Sequence, residues 1–185
     1  MQNDLKMVTE WLLRASSEVA PEYFQLPVAG REDPEYRERV YCYELYHLWR
    51  CHWPEGFPFS LSGEVDKQGH PLIRGEEKPD FLVHVPGQMS NLLVVEVKPT
   101  NAEVTRMVDD LKKLTRFRRD LLPQNGPGSN YYAAFFWVYG LEAREWKKLR
   151  EQDLHRLAGN EFNPSLVTCF VHERASTRAV PVTWA

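Results

Sequence analysis

Residues 92–98 read Leu-Leu-Val-Val-Glu-Val-Lys, with Pro99 next, and no other stretch restricts the fold so sharply. Four consecutive aliphatic residues, the last two β-branched, predict a strand buried on both faces. Successive side chains of a strand point to opposite faces. Leu93, Val95 and Val97 therefore fall on one face, and Leu92, Val94, Glu96 and Lys98 on the other. Glu96 and Lys98 then project from the same face, about 6–7 Å apart along the strand. A carboxylate or an ammonium is costly to bury unless it is paired or bound to a metal. Upstream, Pro79-Asp80-Phe81-Leu82-Val83-His84-Val85 reads as a second apolar strand with an acid at its start. Placed side by side, Asp80, Glu96 and Lys98 make a candidate hard-cation site with an adjacent cationic group.

At 185 residues the chain suits one domain with one substantial core. No run approaches the roughly 18 apolar residues of a membrane span, so no membrane partner is expected. The N-terminus lacks a signal-peptide pattern. Cys42, Cys51 and Cys169 show neither CxxC pairing nor disulfide-framework spacing, which fits a reducing cytoplasm. A formal net charge of −3 argues against coating nucleic acid by charge alone. A carboxylate-rich site beside a local basic strip remains compatible with that balance.

Hydrophobic spacing predicts a helix over 3–18, carried by Leu5, Val8, Leu12 and Ala15, with Asn3 or Asp4 as cap. Pro and Gly interrupt the chain between Pro21 and Gly30. Asp33-Pro34-Glu35 reads as a helix start, the helix running to about Cys51 and stopping before Trp53-Pro54. Phe59–Asp66 alternates as a strand, with Lys67–His70 as the following turn. After the Leu92–Lys98 strand, Val104, Val108, Leu111, Leu114, Phe117 and Leu121 predict a helix over 102–122. A loop is expected over 123–130, then a central apolar strand over 131–139. A helix over 142–158, with Trp146, Leu149, Leu154 and Leu157 inward, precedes two edge strands over 166–172 and 179–184. The pattern is α/β: a mixed sheet between helices in three layers.

This order, with Pro79-Asp80 on one strand and Glu96-Val97-Lys98 on the next, resembles the PD-(D/E)xK nuclease superfamily. The resemblance implies a restriction-endonuclease-like core, αβββαβ, over 34–139 of a single domain spanning 1–185. Residues 1–32 would be an N-terminal helical extension, and 140–185 a C-terminal extension of helix and strands. It implies metal-dependent endonuclease or exonuclease activity on nucleic acid, DNA before RNA, with Mg²⁺ or Mn²⁺ as cofactor. Asp80, Glu96 and the Val97 carbonyl would hold the metal, and Lys98 would assist the attacking water. Glu44, in Tyr43-Glu44-Leu45-Tyr46, matches the additional acid that such proteins often carry on the preceding helix. A homodimer is a further arrangement known for such domains.

Lys112, Arg116 and Arg119 share a helix face that could track a phosphate backbone, partly neutralised by Asp109, Asp110 and Asp120. Glu64 and His84 read as ordinary strand residues. His47 and Cys51 are spaced for one pair of zinc ligands, but no second pair follows. Two alternatives stand beside the nuclease. One is a non-catalytic member of the same fold that binds nucleic acid or protein. The other is an unrelated α/β interaction domain, for which six Trp and eight Tyr could supply a sticky surface.

Overall fold

The computed structural model describes residues 1–63, 78–88, 90–119, 131–146 and 152–184. Six strands form one open mixed sheet in chain order: β1 (Ser60–Gly63), β2 (Phe81–His84), β3 (Asn91–Pro99), β4 (Ala133–Tyr139), β5 (Thr168–His172) and β6 (Val180–Val182). β1, β2 and β3 are antiparallel neighbours; β3, β4 and β5 are parallel; β6 runs antiparallel to β5. Parallel neighbours need long crossovers. Helix α4 (Val104–Arg119) lies between β3 and β4, and α5 (Ala143–Trp146) and α6 (Gln152–Ala158) lie between β4 and β5.

The middle of the sheet carries almost no polar side chains because both faces are covered. One face packs against α1 (Gln2–Ser16), α2 (Pro21–Phe24) and α3 (Glu38–Cys51), through Val8, Leu12, Phe24, Tyr41, Leu45 and Trp49. The other packs against α4 and α6, through Met107, Leu111, Leu114, Phe117 and Leu154. Every residue of β3 and β4 is buried. Burying that much aliphatic and aromatic surface is the main stabilising term. Among the described residues no helix is long and apolar enough to cross a membrane.

Several expectations shift. Helix α3 begins at Glu38, not at Asp33-Pro34, because Glu35 exchanges both backbone hydrogen bonds with Leu26 (2.8 and 2.9 Å) and stays extended. Leu92 does not share a face with Val94. Val83 pairs with Leu93 and His84 with Asn91, so Leu92 is the extra residue of a β-bulge and packs on the α1/α3 side. Only β6 of the last two strands is an edge, since β5 pairs on both sides. Leu157, expected inward, is half exposed at the end of α6. Glu64, the turn at 67–70, the loop at 123–130 and Leu149 lie outside the described residues.

Candidate active site

The site forms at the C-terminal end of β3, where β2 begins and the start of α3 and the middle of α4 approach the sheet. The ladder of β2 with β3 begins at Phe81 opposite Val95. One step beyond, the Val97 N–H would lack a strand partner, and it donates instead to Asp80 Oδ2 at 2.7 Å. Asp80 thus closes the ladder with a side chain where a backbone carbonyl would otherwise stand. Glu96 and Lys98, on the α4 side, are only 2% and 7% exposed.

Four carboxylates and two ammonium groups meet there. Lys98 Nζ lies 3.2 Å from Glu38 Oε2 and 3.1 Å from Asp110 Oδ2, and it donates to the Val97 carbonyl at 2.9 Å. Lys113 Nζ lies 2.6 Å from Glu96 Oε1 and 3.0 Å from Asp110 Oδ1. The Lys113–Glu96 contact is an ion pair by distance, but Glu96 Oε1 has no aligned hydrogen bond. With all six groups ionised, Glu38, Asp80, Glu96 and Asp110 outweigh Lys98 and Lys113 by two negative charges.

Burial governs the titration. Loss of water pushes Asp80 up to about 6, further raised by Glu38 and Asp110 and held back by Lys98 and the Val97 N–H. Burial pushes Glu96 well above the usual carboxylate range, and the neighbouring Asp80 and Asp110 push the same way against Lys113. For Lys98, burial acts to lower the pKa. Asp110, Asp80, Glu38 and Glu96 outweigh it and hold the ammonium above the ordinary lysine range. Lys98 is therefore a fixed cation rather than a proton acceptor at neutral pH.

Of the residues anticipated from sequence, Asp80, Glu96, Val97 and Lys98 come together. Glu44 is not among the groups in contact with them. It points about 120° around α3 from Glu38, by the helical repeat, and Glu38 supplies the α3 carboxylate instead. Glu38, Asp110 and Lys113 were missed as site residues. Position gave the available signal: Asp110 and Lys113, three apart on α4, present one face to the strand that precedes it. Lys112 pairs with Glu161 at 2.7 Å, and Arg116 adds its field to that same carboxylate, so the expected phosphate strip is partly neutralised. Arg119 closes α4 at its last described residue. His84 Nε2 hydrogen-bonds Ser62 Oγ at 3.2 Å across β1 and β2. His47 Nε2 and Cys51 Sγ are 4.0 Å apart on the exposed side of α3, with Cys42 buried on another face.

Helix α3 is locked to the sheet by Tyr41. Its ring stacks on Tyr139 at 3.9 Å and 5°. Its hydroxyl accepts from Trp137 Nε1 and meets His172 Nδ1, both at 2.7 Å. An indole only donates, so the Tyr41 hydroxyl is free to donate onward and Nδ1 accepts. Burial accordingly lowers His172 to about 4 and keeps it neutral. That anchor fixes Glu38, one turn earlier on the helix, and Cys42, the next residue along it.

A cleft of about 350 Å³ opens beside the cluster, lined by Cys42, Tyr43, Tyr46, Gly63, Asp80 and Phe81. Among the described residues no group of three or more acidic, His or Cys side chains converges as a metal-binding set. No protein-family model, curated protein or solved structure matches the chain.

Proposed function

We propose that the chain is a metal-dependent phosphodiester hydrolase of the PD-(D/E)xK type acting on nucleic acid, with DNA favoured over RNA. The observation that carries this reading is a pair of nearly inaccessible ionisable groups, Glu96 and Lys98, at the end of an aliphatic run from Leu92, meeting Asp80 in a cluster of four carboxylates and two ammonium groups. A fold stabilised by apolar burial gains little from such a cluster, since buried ion pairs seldom repay their desolvation. The element order α3-β1-β2-β3-α4-β4 also agrees with the αβββαβ core of that superfamily.

The donor set suits a hard divalent cation. Mg²⁺ takes oxygen ligands, keeps several waters and is held by one or two carboxylates together with substrate phosphate, so a three-carboxylate cage is not required. Asp80, Glu96 and the Val97 carbonyl are the oxygens that would hold it, and a bound cation would favour the ionised form of both carboxyls that burial disfavours. When bound, Mg²⁺ or Mn²⁺ supplies an acidified water and neutralises charge on the phosphate. Lys98, held protonated by Glu38 and Asp110, stabilises negative charge that develops on the phosphate oxygens. Asp110 and Lys113 position Lys98 and Glu96 and are not themselves assigned contact with substrate.

The closed pairs Lys98–Asp110 and Lys113–Glu96 favour one second reading, a non-catalytic member of the same fold in which the lysines neutralise inherited acids. Cleavage of labelled single-stranded, duplex and branched DNA and of RNA with Mg²⁺ or Mn²⁺ separates the two. Activity that is lost in EDTA and in a folded Lys98→Ala variant is expected. Absent cleavage, with no heat of Mg²⁺ binding, would leave the second reading, and metal-independent cleavage would overturn both.

A further inference from the structure

The cleft beside Asp80 has walls that the hydrolytic cluster does not use. Cys42, Tyr43, Tyr46 and Phe81 make it largely apolar, and Asp80 is the one charged residue lining it among those described. Tyr43 is 59% exposed, an unusual cost for a large ring beside a buried acidic cluster. Tyr46 is held in place, its hydroxyl donating to the Leu61 carbonyl at 3.3 Å and its ring lying near-parallel to Phe81. Tyr46 also lines a second concavity of about 530 Å³, which continues past Arg50 to Trp53 and Phe57. The two hollows share a wall. Together they follow α3 and the edge strand β1 away from the carboxylates, with an exposed Arg50 on the rim beyond Tyr46.

We propose that this groove is a stacking track for single-stranded nucleic acid, an unpaired base seating against Tyr43 and Tyr46 so that its adjoining phosphate reaches Asp80. The inference rests on the phosphodiesterase reading and narrows its substrate class. A base within a duplex has both faces covered by its neighbours and offers none to Tyr43. An unpaired base offers a free π-face, and aromatic stacking is tolerant of sequence. The continuity at Asp80, which lines the cleft and belongs to the cluster, ties the base site to the place where a phosphate would react. Arg50 supplies a cation for the backbone further along, beside Glu55 on the same rim.

The test is equilibrium binding of fluorescent oligonucleotides with Ca²⁺ in place of Mg²⁺, so that a cation stands between phosphate and carboxylates, the strands being checked for cleavage. The probes are oligothymidine, the same strand with abasic positions, and a duplex, each against the wild type, Tyr43→Ala and Tyr43→Phe. The exposed position of Tyr43 makes both variants safe for folding, and circular dichroism checks it. Expected results are preference of the wild type for oligothymidine over the abasic strand, a loss of about tenfold in Tyr43→Ala, and recovery in Tyr43→Phe. Equal binding of the abasic strand, or an unchanged Tyr43→Ala, overturns the track. If duplex is then cleaved with Mg²⁺, the phosphodiesterase reading survives alone. If nothing is bound and nothing is cleaved, both fall together.

Discussion

Replacing Asp80 by Asn should stabilise the protein at neutral pH, and the size of the gain follows from its environment. Asn keeps the carbonyl oxygen that accepts the Val97 N–H and removes only the ionisable oxygen, so the variant mimics protonated Asp80. The raised pKa measures what ionisation costs in the folded chain relative to an unfolded one. A rise from 3.8 to about 6 corresponds to about 3 kcal/mol, as an upper bound because Asp80 is only partly shielded. Below pH 3.8 the carboxyl is protonated in both states and the variant gains nothing. Between 3.8 and about 6 the unfolded chain loses its proton first, and stability falls as pH rises. Above about 6 the whole penalty is present. Urea unfolding of wild type and variant at pH 8 and at pH 4 should therefore show a gap of about 2–3 kcal/mol that narrows strongly in acid. Adding Mg²⁺ at pH 8 should raise the stability of the wild type and leave the variant almost unmoved. A variant less stable than wild type at pH 8 would show that Asp80 serves the ladder end alone and that its charge is not held at a cost.

Three further outcomes are expected. Lys113→Met strips Glu96 of its ion pair and should destabilise by about 3 kcal/mol, the loss growing as pH rises; thermal unfolding should show recovery when Glu96→Gln is added, and a lack of recovery refutes the pairing. Calorimetric Mg²⁺ affinity should rise with pH through and beyond about 6, with proton release, since Asp80 and the still more strongly raised Glu96 must both ionise to bind; a flat pH profile removes both from the metal ligands. Gly140→Ala should lower stability by about 1–3 kcal/mol, because Gly140 has φ +92° and an added Cβ would lie 2.5 Å from the Tyr36 ring; an unchanged unfolding temperature contradicts that packing.

What the sequence made legible follows from how locally each feature is encoded. β3, β4 and α4 were readable because burial on both faces, or on one helical stripe, writes itself into consecutive residues. The start of α3 was not, because a favourable local signal at Asp33-Pro34 lost to the backbone bridge of Glu35 with Leu26, nine residues earlier in the chain. The same distinction runs through the site. Asp80, Glu96 and Lys98 announce themselves as charges on apolar strands. Glu38, Asp110 and Lys113 sit on amphipathic helices, where charge is ordinary, and only the approach of the helices to the end of β3 gives them a role. The choice of Glu38 over Glu44 shows the limit most plainly. Both are acids on α3, but Tyr41, stacked on Tyr139 and bonded to Trp137 and His172, sets which face of that helix looks at the sheet. With Tyr41, Leu45 and Trp49 packed inward, the first turn delivers Glu38 to Lys98 while Glu44 turns aside. The acidic partner of Lys98 is thus chosen by an aromatic anchor more than a hundred and thirty residues long in its sequence span, and a Tyr41→Leu exchange should loosen the Glu38 contact before it touches any charge.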